Sequence, residues 1–528
     1  MGAAMWASFA VPNPGDGAWS RSRARTGPGF SGVQGENADN RPTMSDPLAT
    51  LPPSRRLLGQ AVLPTSDGAP PRPTRAAIDV TGATITAVHR LASGDAPPPL
   101  PPGVPTEDLG ARMVTPAFID GHTHLCLSAL RGLSVPEDAD ANLVEDFFFR
   151  IETKMGPDDV RAFVRMGAYE ALIHGTALVW DHYYRPDAVI AGLLDVGLPA
   201  VVAPTLQDLS GPGIDQHEAS LERTATIAAD ASLAARGVFA AYGPHATDTV
   251  SDALFGRVAE LSERHALPVH CHIAQSLDEL ERVRSLRGCS PLDVLHRTGV
   301  LAASPRTLLI HNIFVTEPEI AALDKDRVAL GFCPHSKEIF AYLPDIRAWS
   351  AARLPWFLGT DCAASNDALN VQGELRATAG LRSAGVTWSA AHQAFLQSGS
   401  LDDARAAWRA RAGARTKTTW LADPAFLLDR VWGIPGGLHP AFRAGVIGPG
   451  ALANLAVWDL DHPTFWPARE PVRQLTLSDT VGALHNVMAA GRWVGVHGDY
   501  HRSLVATDAY REAHREASDR LTALERRL

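Results

Sequence analysis

The sequence predicts an α/β fold: a (β/α)8 barrel of the TIM type with a small β-sandwich built from both chain ends. Three observations predict it. Between about residues 114 and 438, eight short apolar runs alternate with helical stretches, the pattern of βα units and a parallel sheet. β-rich segments flank that region on both sides, and side chains of metal-ligand type fall at the ends of several runs.

The chain has 528 residues, enough for one large barrel plus an accessory domain. A hydrophobic content of 45% and a charged content of 20% are those of an ordinary globular protein. The net charge of −10 is modest and argues against nucleic acid as the main partner. No apolar run reaches the roughly eighteen residues of a membrane span, so no membrane partner is expected. Cysteines stand at 126, 271, 289, 333 and 362, an odd number without a CxxC pair. Neither a disulfide framework nor a zinc knuckle follows, and the expected setting is reducing and cytoplasmic. Cys271 and Cys362, each beside a candidate metal ligand, read as small buried residues.

Taken in order, the first 43 residues are rich in Gly, Pro, Ser, Asn and Arg and lack apolar periodicity or a secretory signal. Residues 1–50 are therefore expected to be a disordered extension. Met1 and Met44 both stand as translation starts, and the intact mass of the natively expressed protein distinguishes them. Residues 51–113 and 439–505 are assigned to the split sandwich. LLGQAVL and AAIDVTGATITAVHR read as strands on one side of the chain, with Ile78, Val80, Ile85 and Val88 as apolar anchors. The turn DAPPPLPPGVP closes that block, because so many prolines cannot enter a sheet interior. GVIGPGALANLAVWDL and the strand–turn–strand HNVMAAGRWVGV supply the other side. Residues 114–438 are assigned to the barrel, with strands MVTPAF, ALVWD, PAVVAP, VFAAY, PVHCH, TLLIH, VALGFC and PWFLGTD. Eight such units favour a closed barrel. Neither GxGxxG after the first strand nor GxxxxGK[ST] occurs, so a nucleotide-binding sheet lacks its marker. Residues 506–528 read as a charged amphipathic helix.

In a parallel barrel the βα loops converge at the C-terminal strand ends, and the candidate chemistry lies there. His122 and His124 follow strand one, and an extended H-x-H places both imidazoles on one side of the chain. His272 ends strand five, His311 ends strand six and Asp361 ends strand eight. His122, His124, His272 and Asp361 suit one divalent ion, Zn2+ or another borderline metal such as Fe2+, with a position left for water. Such an ion brings the pKa of its water to about 7. Asp361 is then placed to take a proton and His311 to polarise the group under attack. Each piece alone is weak, since an HxH pair or an Asp after a strand is commonly structural. Their coincidence at several strand ends carries the reading.

The blocks PAFIDGHTHL, AAYGPHATDTVSDAL, VHCHIAQSLDEL, LLIHNIFVTEPEI, GFCPHS and LGTDCAASNDALNVQGELR, in this order, resemble the amidohydrolase superfamily. The likeness is to its branch of S-adenosylhomocysteine deaminases, atrazine chlorohydrolase-like enzymes and guanine deaminases, from about residue 57 to 500. It implies a split sandwich, a barrel and a metal held by His122, His124, His272 and Asp361, with His311 catalytic. No lysine ends strand four, so the resemblance implies a single ion. His245 matches a residue that contacts substrate, with a structural histidine as the other reading, and Ser365 and Asn366 are placed to line the pocket.

The departures concern function. Gln275 stands where most relatives carry a proton-shuttling Glu, and an amide cannot carry a proton at neutral pH. Lys337 stands where many have Asn; it either points inward, toward an acidic substrate group, or is a solvated loop lysine. Asn454 replaces an Asp of the sandwich, and LVEDFFFRIETK lacks the usual Trp-Leu pair. Three functions follow: deamination of an amino-substituted heterocycle, placed first; hydrolytic dechlorination, which needs no leaving-group protonation and so tolerates Gln275; and a non-catalytic binding paralogue. The expected partner is a small heterocyclic molecule. Relatives commonly form homo-oligomers, but the residues themselves do not specify an assembly.

Overall fold

One continuous seven-stranded sheet ties the two ends of the chain together. It appears in a computed structural model that describes residues 53–64, 71–133, 143–339, 342–387, 394, 397–412 and 423–528. The extension expected over residues 1–50 lies outside the described residues. From the N-terminal side come β1 (Arg55–Val62), β2 (Pro73–Thr81), β3 (Thr84–Arg90) and β4 (Thr106–Pro116). From the C-terminal side come β14 (Leu455–Trp458), β15 (Leu484–Ala489) and β16 (Arg492–Trp493). The spatial order is β16-β15-β14-β4-β1-β2-β3. The seam is the antiparallel β4–β14 pair, with Val114 opposite Val457. Leu57, Ile78, Val80, Ile85, Val114, Leu455 and Met488 close over one apolar core on this sheet.

Between these ends run β5 (Phe118–Thr123), β6 (Thr176–Tyr183), β7 (Ala200–Leu206), β8 (Val238–Ala240) and β9 (Gly243–Pro244), then β10 (Val269–Ile273), β11 (Thr307–His311), β12 (Val328–Phe332) and β13 (Trp356–Leu358). β5-β6-β7-β8 and β10-β11-β12-β13 are parallel sheets, and the short β9 pairs with β7. Two parallel bridges, Tyr242 to Val269 and Thr123 to Asp361, join the sheets at both edges. The ring therefore closes on eight principal strands, its interior filled by Trp180, Phe239, Leu308, Ile310 and Phe357. Closure is tight: a Cβ at Gly359 would lie 2.6 Å from the His122 carbonyl oxygen.

The first barrel strand differs from the expectation. MVTPAF is divided: Met113–Pro116 belongs to β4 and pairs with β14, and the barrel strand begins at Phe118. Pro116 has no N–H to extend a ladder, so the chain changes sheets there. His122 consequently lies within β5, and His124 just beyond it. Among the described residues, no helix is long and apolar enough to cross a membrane. The terminal helix Asp508–Glu525 packs Ala513, Ala517 and Leu524 inward.

Candidate active site

The ends of β5 and β13 are locked by backbone bonds: Asp361 N–H donates to the His122 carbonyl (3.0 Å) and His124 N–H to the Asp361 carbonyl (2.8 Å). Below them the buried Asp120 accepts from the Thr360 N–H (3.0 Å) and hydroxyl (2.5 Å) and from the His122 N–H (3.3 Å). Burial raises the Asp120 pKa to about 7. Asp361 (φ 62°) and His311 (φ 79°) hold left-handed backbone, which is strained in non-glycine residues and turns their side chains into the barrel mouth.

Four candidate ligands converge. His122 Nε2 lies 3.2 Å from His272 Nε2, and Asp361 Oδ1 is 3.5 Å from both His122 Nε2 and His124 Nε2. The ligand atoms of His122, His124 and His272 all lie within 4.8 Å of one another, as do those of His122, His311 and Asp361. Nδ1 of His124 faces the His182 carbonyl and Nδ1 of His272 faces the His245 carbonyl at 3.0 Å. A carbonyl only accepts, so both Nδ1 atoms carry a proton; neutral His272 turns a bare Nε2 lone pair toward the cluster, and His124 does so in its neutral form. Burial lowers the pKa of His122 to about 4 and holds His272 well below the ordinary imidazole value, so both stay neutral. At His124 burial acts in the same direction, but Asp361 outweighs it and favours positive charge there. Lone pairs and a carboxylate oxygen pointed at one spot repel each other unless a proton or a metal cation lies between them. The donor set fits a divalent ion, with carbonyls orienting two ligands from behind.

The second carboxylate oxygen, Oδ2 of Asp361, faces other groups. The Ser336 hydroxyl donates to it at 2.7 Å, Lys337 Nζ lies at 3.4 Å and His311 Nε2 at 3.9 Å. Burial works against its ionisation, yet the Lys337 ammonium with His122 and His124 holds Asp361 well below the usual carboxylate range. Lys337 is buried and directed inward at Asp361.

A cavity of about 320 Å³ opens above this floor. His245, Gln275, Lys337 and Ser365 line it. His245 Nδ1 is 2.9 Å from the Thr249 hydroxyl, the Ser365 hydroxyl is 2.9 Å from that of Ser336, and the Gln275 backbone N–H donates to the Glu279 carboxylate at 2.9 Å. Asn366 departs from the expectation: its amide donates to the Thr360 carbonyl and to Glu374, each at 2.8 Å, and it braces the loop instead of lining the cavity. Sequence reasoning missed the wall. Glu145, Glu152, Asp248 and Asp278 line it beside Phe148, Phe149, Tyr183, Tyr184 and Tyr342. Arg282 joins two of these acids, gripping Glu145 and lying 3.6 Å from Asp248. Burial raises Glu152 to about 7 and Asp248 to about 6, against the pull of His124 and Arg282 respectively. His182 and His270 were also missed. Residues at i and i+2 of a strand share a face, and that parity with Trp180 and His272 was the available signal. A larger groove, about 760 Å³, lies between residues 156–159 and the terminal helix and shares no residue with this site.

The description "Amidohydrolase family" matches residues 113–407. The chain belongs to the amidohydrolase family. A 5-methylthioadenosine/S-adenosylhomocysteine deaminase of Halobacterium salinarum is 29% identical over 392 residues, covering 74% of this chain and 82% of the relative. Among solved structures, an adenosine deaminase from Xanthomonas campestris with bound zinc is similar, with a TM-score of 0.71 and 24% identity over 90% of this chain and 99% of that one. So is an atrazine chlorohydrolase from Arthrobacter aurescens complexed with zinc, with a TM-score of 0.66 and 21% identity over 89% and 99%. This amidohydrolase thus shares its fold, over about nine-tenths of the chain, with proteins solved with zinc, and its own His/Asp cluster could hold a metal.

Proposed function

We propose that this amidohydrolase deaminates an amino-substituted heterocycle by hydrolysis, with one divalent ion, zinc in preference to iron, held by His122, His124, His272 and Asp361. The observation that carries the proposal is the convergence of the Nε2 atoms of His122, His124 and His272 on one another, with Asp361 Oδ1 beside two of them. Residues 114–438 are taken as the catalytic barrel, with 51–113 and 439–505 as its supporting domain. The ion, when bound, supplies Lewis-acid activation of a water.

The remaining work falls to this chain's own side chains. Asp361 Oδ2, on the side away from the ligand nitrogens, accepts the proton of the attacking water. His311 Nε2, 3.9 Å from that oxygen, donates a hydrogen bond to the group under attack. Water adds at the amino-bearing carbon, the carbon–nitrogen bond breaks, and the nitrogen leaves as ammonia with the proton that Asp361 accepted. Gln275 holds the substrate ring by hydrogen bonds, since its amide donates and accepts but carries no proton. His245 and Ser365 contact the same ring from the cavity wall. Lys337 acts on Asp361, which leaves it less suited to pair with an acidic substrate group. The assembly of His311 with all four ligands argues against a non-catalytic paralogue.

Gln275 favours a second reading, hydrolytic dechlorination, because halide leaves without a proton. Paired assays of ammonia and chloride release separate the two, using adenosine derivatives and amino- or chloro-substituted triazines. Deamination predicts chelator-sensitive ammonia release by the wild type, and a loss of it in Gln275→Glu. Chloride release without ammonia, or a large gain of ammonia release in Gln275→Glu, would overturn deamination as the native reaction.

A further inference from the structure

Two of the three imidazole ligands give their Nδ1–H to backbone carbonyls, but the third has a different partner. His122 Nδ1 faces the Nε2 of His270 at 2.9 Å, ring to ring, with centroids 5.0 Å apart and planes at 80°. Both side chains are fully buried, so no solvent competes for the contact. His270 and His272 share the inward face of β10, so one strand supplies a ligand and, two residues earlier, the neighbour of another ligand.

We infer that His270 is the positioning residue of the metal site, accepting the His122 Nδ1–H so that His122 Nε2 is presented bare to the ion. The inference rests on the reading of His122 as a ligand. For Nε2 to coordinate, the proton of neutral His122 must sit on Nδ1. His270 Nε2 must then be the acceptor, and the proton of His270 must sit on its own Nδ1. That atom is buried without a protein hydrogen-bond partner. The His182 ring, at 5.2 Å from that of His270, also has both nitrogens buried and unpartnered. No second side-chain hydrogen bond among the described residues therefore competes for His270, whose one such bond is to the ligand, while the Trp180 and His182 rings pack beside it. A carbonyl can only accept, whereas an imidazole accepts or donates according to its tautomer, so two ring protons must be placed in series.

The test is chelator-competition titration of zinc into full-length wild type, His270→Phe and His270→Gln, with thermal midpoints after chelation. Phe cannot accept a hydrogen bond, and its zinc affinity is expected to fall about 10- to 100-fold, the range for loss of a ligand's outer partner. Gln offers a carbonyl oxygen and is expected to stay within about threefold of wild type. The chelated thermal midpoints of the two variants are expected to agree, which separates positioning from folding. Equal zinc affinity in wild type and His270→Phe, or an affinity in His270→Gln as weak as in His270→Phe, would overturn the inference. Should His270→Phe fail to fold, nitrogen-15 spectra of histidine-labelled, zinc-loaded wild type decide, with the His270 signal identified by its absence in His270→Gln. The proton is expected on His270 Nδ1, and a proton on its Nε2 would overturn the assignment. Wild type that binds no zinc would overturn the ligand reading of His122 and this inference with it.

Discussion

The floor of the cavity and its wall are made from different parts of the barrel. At the floor, His122, His272 and His311 come from β5, β10 and β11, and Asp361 is bridged to β5 by backbone hydrogen bonds. At the wall, Glu145 and Glu152 come from the segment between β5 and β6, Asp248 from the loop after β9, and Asp278 from the start of the helix Leu277–Arg287. The floor is paired and braced. The wall is held together by side-chain contacts such as Arg282 with Glu145 and Asp248. Rigid strands keep the proposed reacting groups in register, while loops are free to vary in what they recognise. Changes at the floor should alter the chemical step, and changes at the wall should alter binding.

The largest expected effect is at the floor. His311→Ala should lower kcat by about 100- to 10,000-fold, the span of general acid–base and polarising contributions. Its metal content should match wild type; loss of the metal would place His311 among the ligands and erase its separate role. At the wall, Arg282→Met should raise KM about fivefold with kcat unchanged, a modest figure because the ion pair is partly exposed. A fall in kcat of equal size would break the division between floor and wall.

The smallest effect is a pH dependence. Burial raises Asp248 to about 6 in the folded protein, above its ordinary 3.8. The folded state therefore binds more protons than the unfolded state between those values, and Asp248 costs stability increasingly as pH rises through that window. Asp248→Asn should match wild type below pH ~4 and be the more stable above pH ~6, as read by denaturant unfolding. Reversal of that order would mean that Arg282, not burial, dominates at Asp248.

The proposed floor was legible in the sequence because a metal-ligand donor set limits residue type and the barrel limits position. His122, His124, His272, His311 and Asp361 stood out as ligand-type residues through their coincidence near strand ends and the family resemblance, and the structure brings all five together. Seven of the eight barrel runs coincide with observed strands, and MVTPAF failed because apolar alternation does not show where a chain changes sheets. Lys337 was ambiguous, since the helix after β12, Pro334–Ile339, is too short to show a periodicity that says which way a side chain points. Asn366 lies beside Ser365 in sequence, yet a short helical turn sends the two amino acids to opposite sides of the loop. Glu152, at the end of a helix, and Asp248, in the turn after β9, look like ordinary surface acids, and only the folded packing covers them. His270 and His182 were within reach of strand parity.

Metal content per chain, measured by elemental analysis on wild type and Asp361→Ala, tests the central claim most directly. About one equivalent of zinc or iron in wild type, sharply reduced in Asp361→Ala, is the predicted result. Wild type that retains no metal after reconstitution, or Asp361→Ala that retains as much as wild type, would contradict a site built on Asp361 and its histidines.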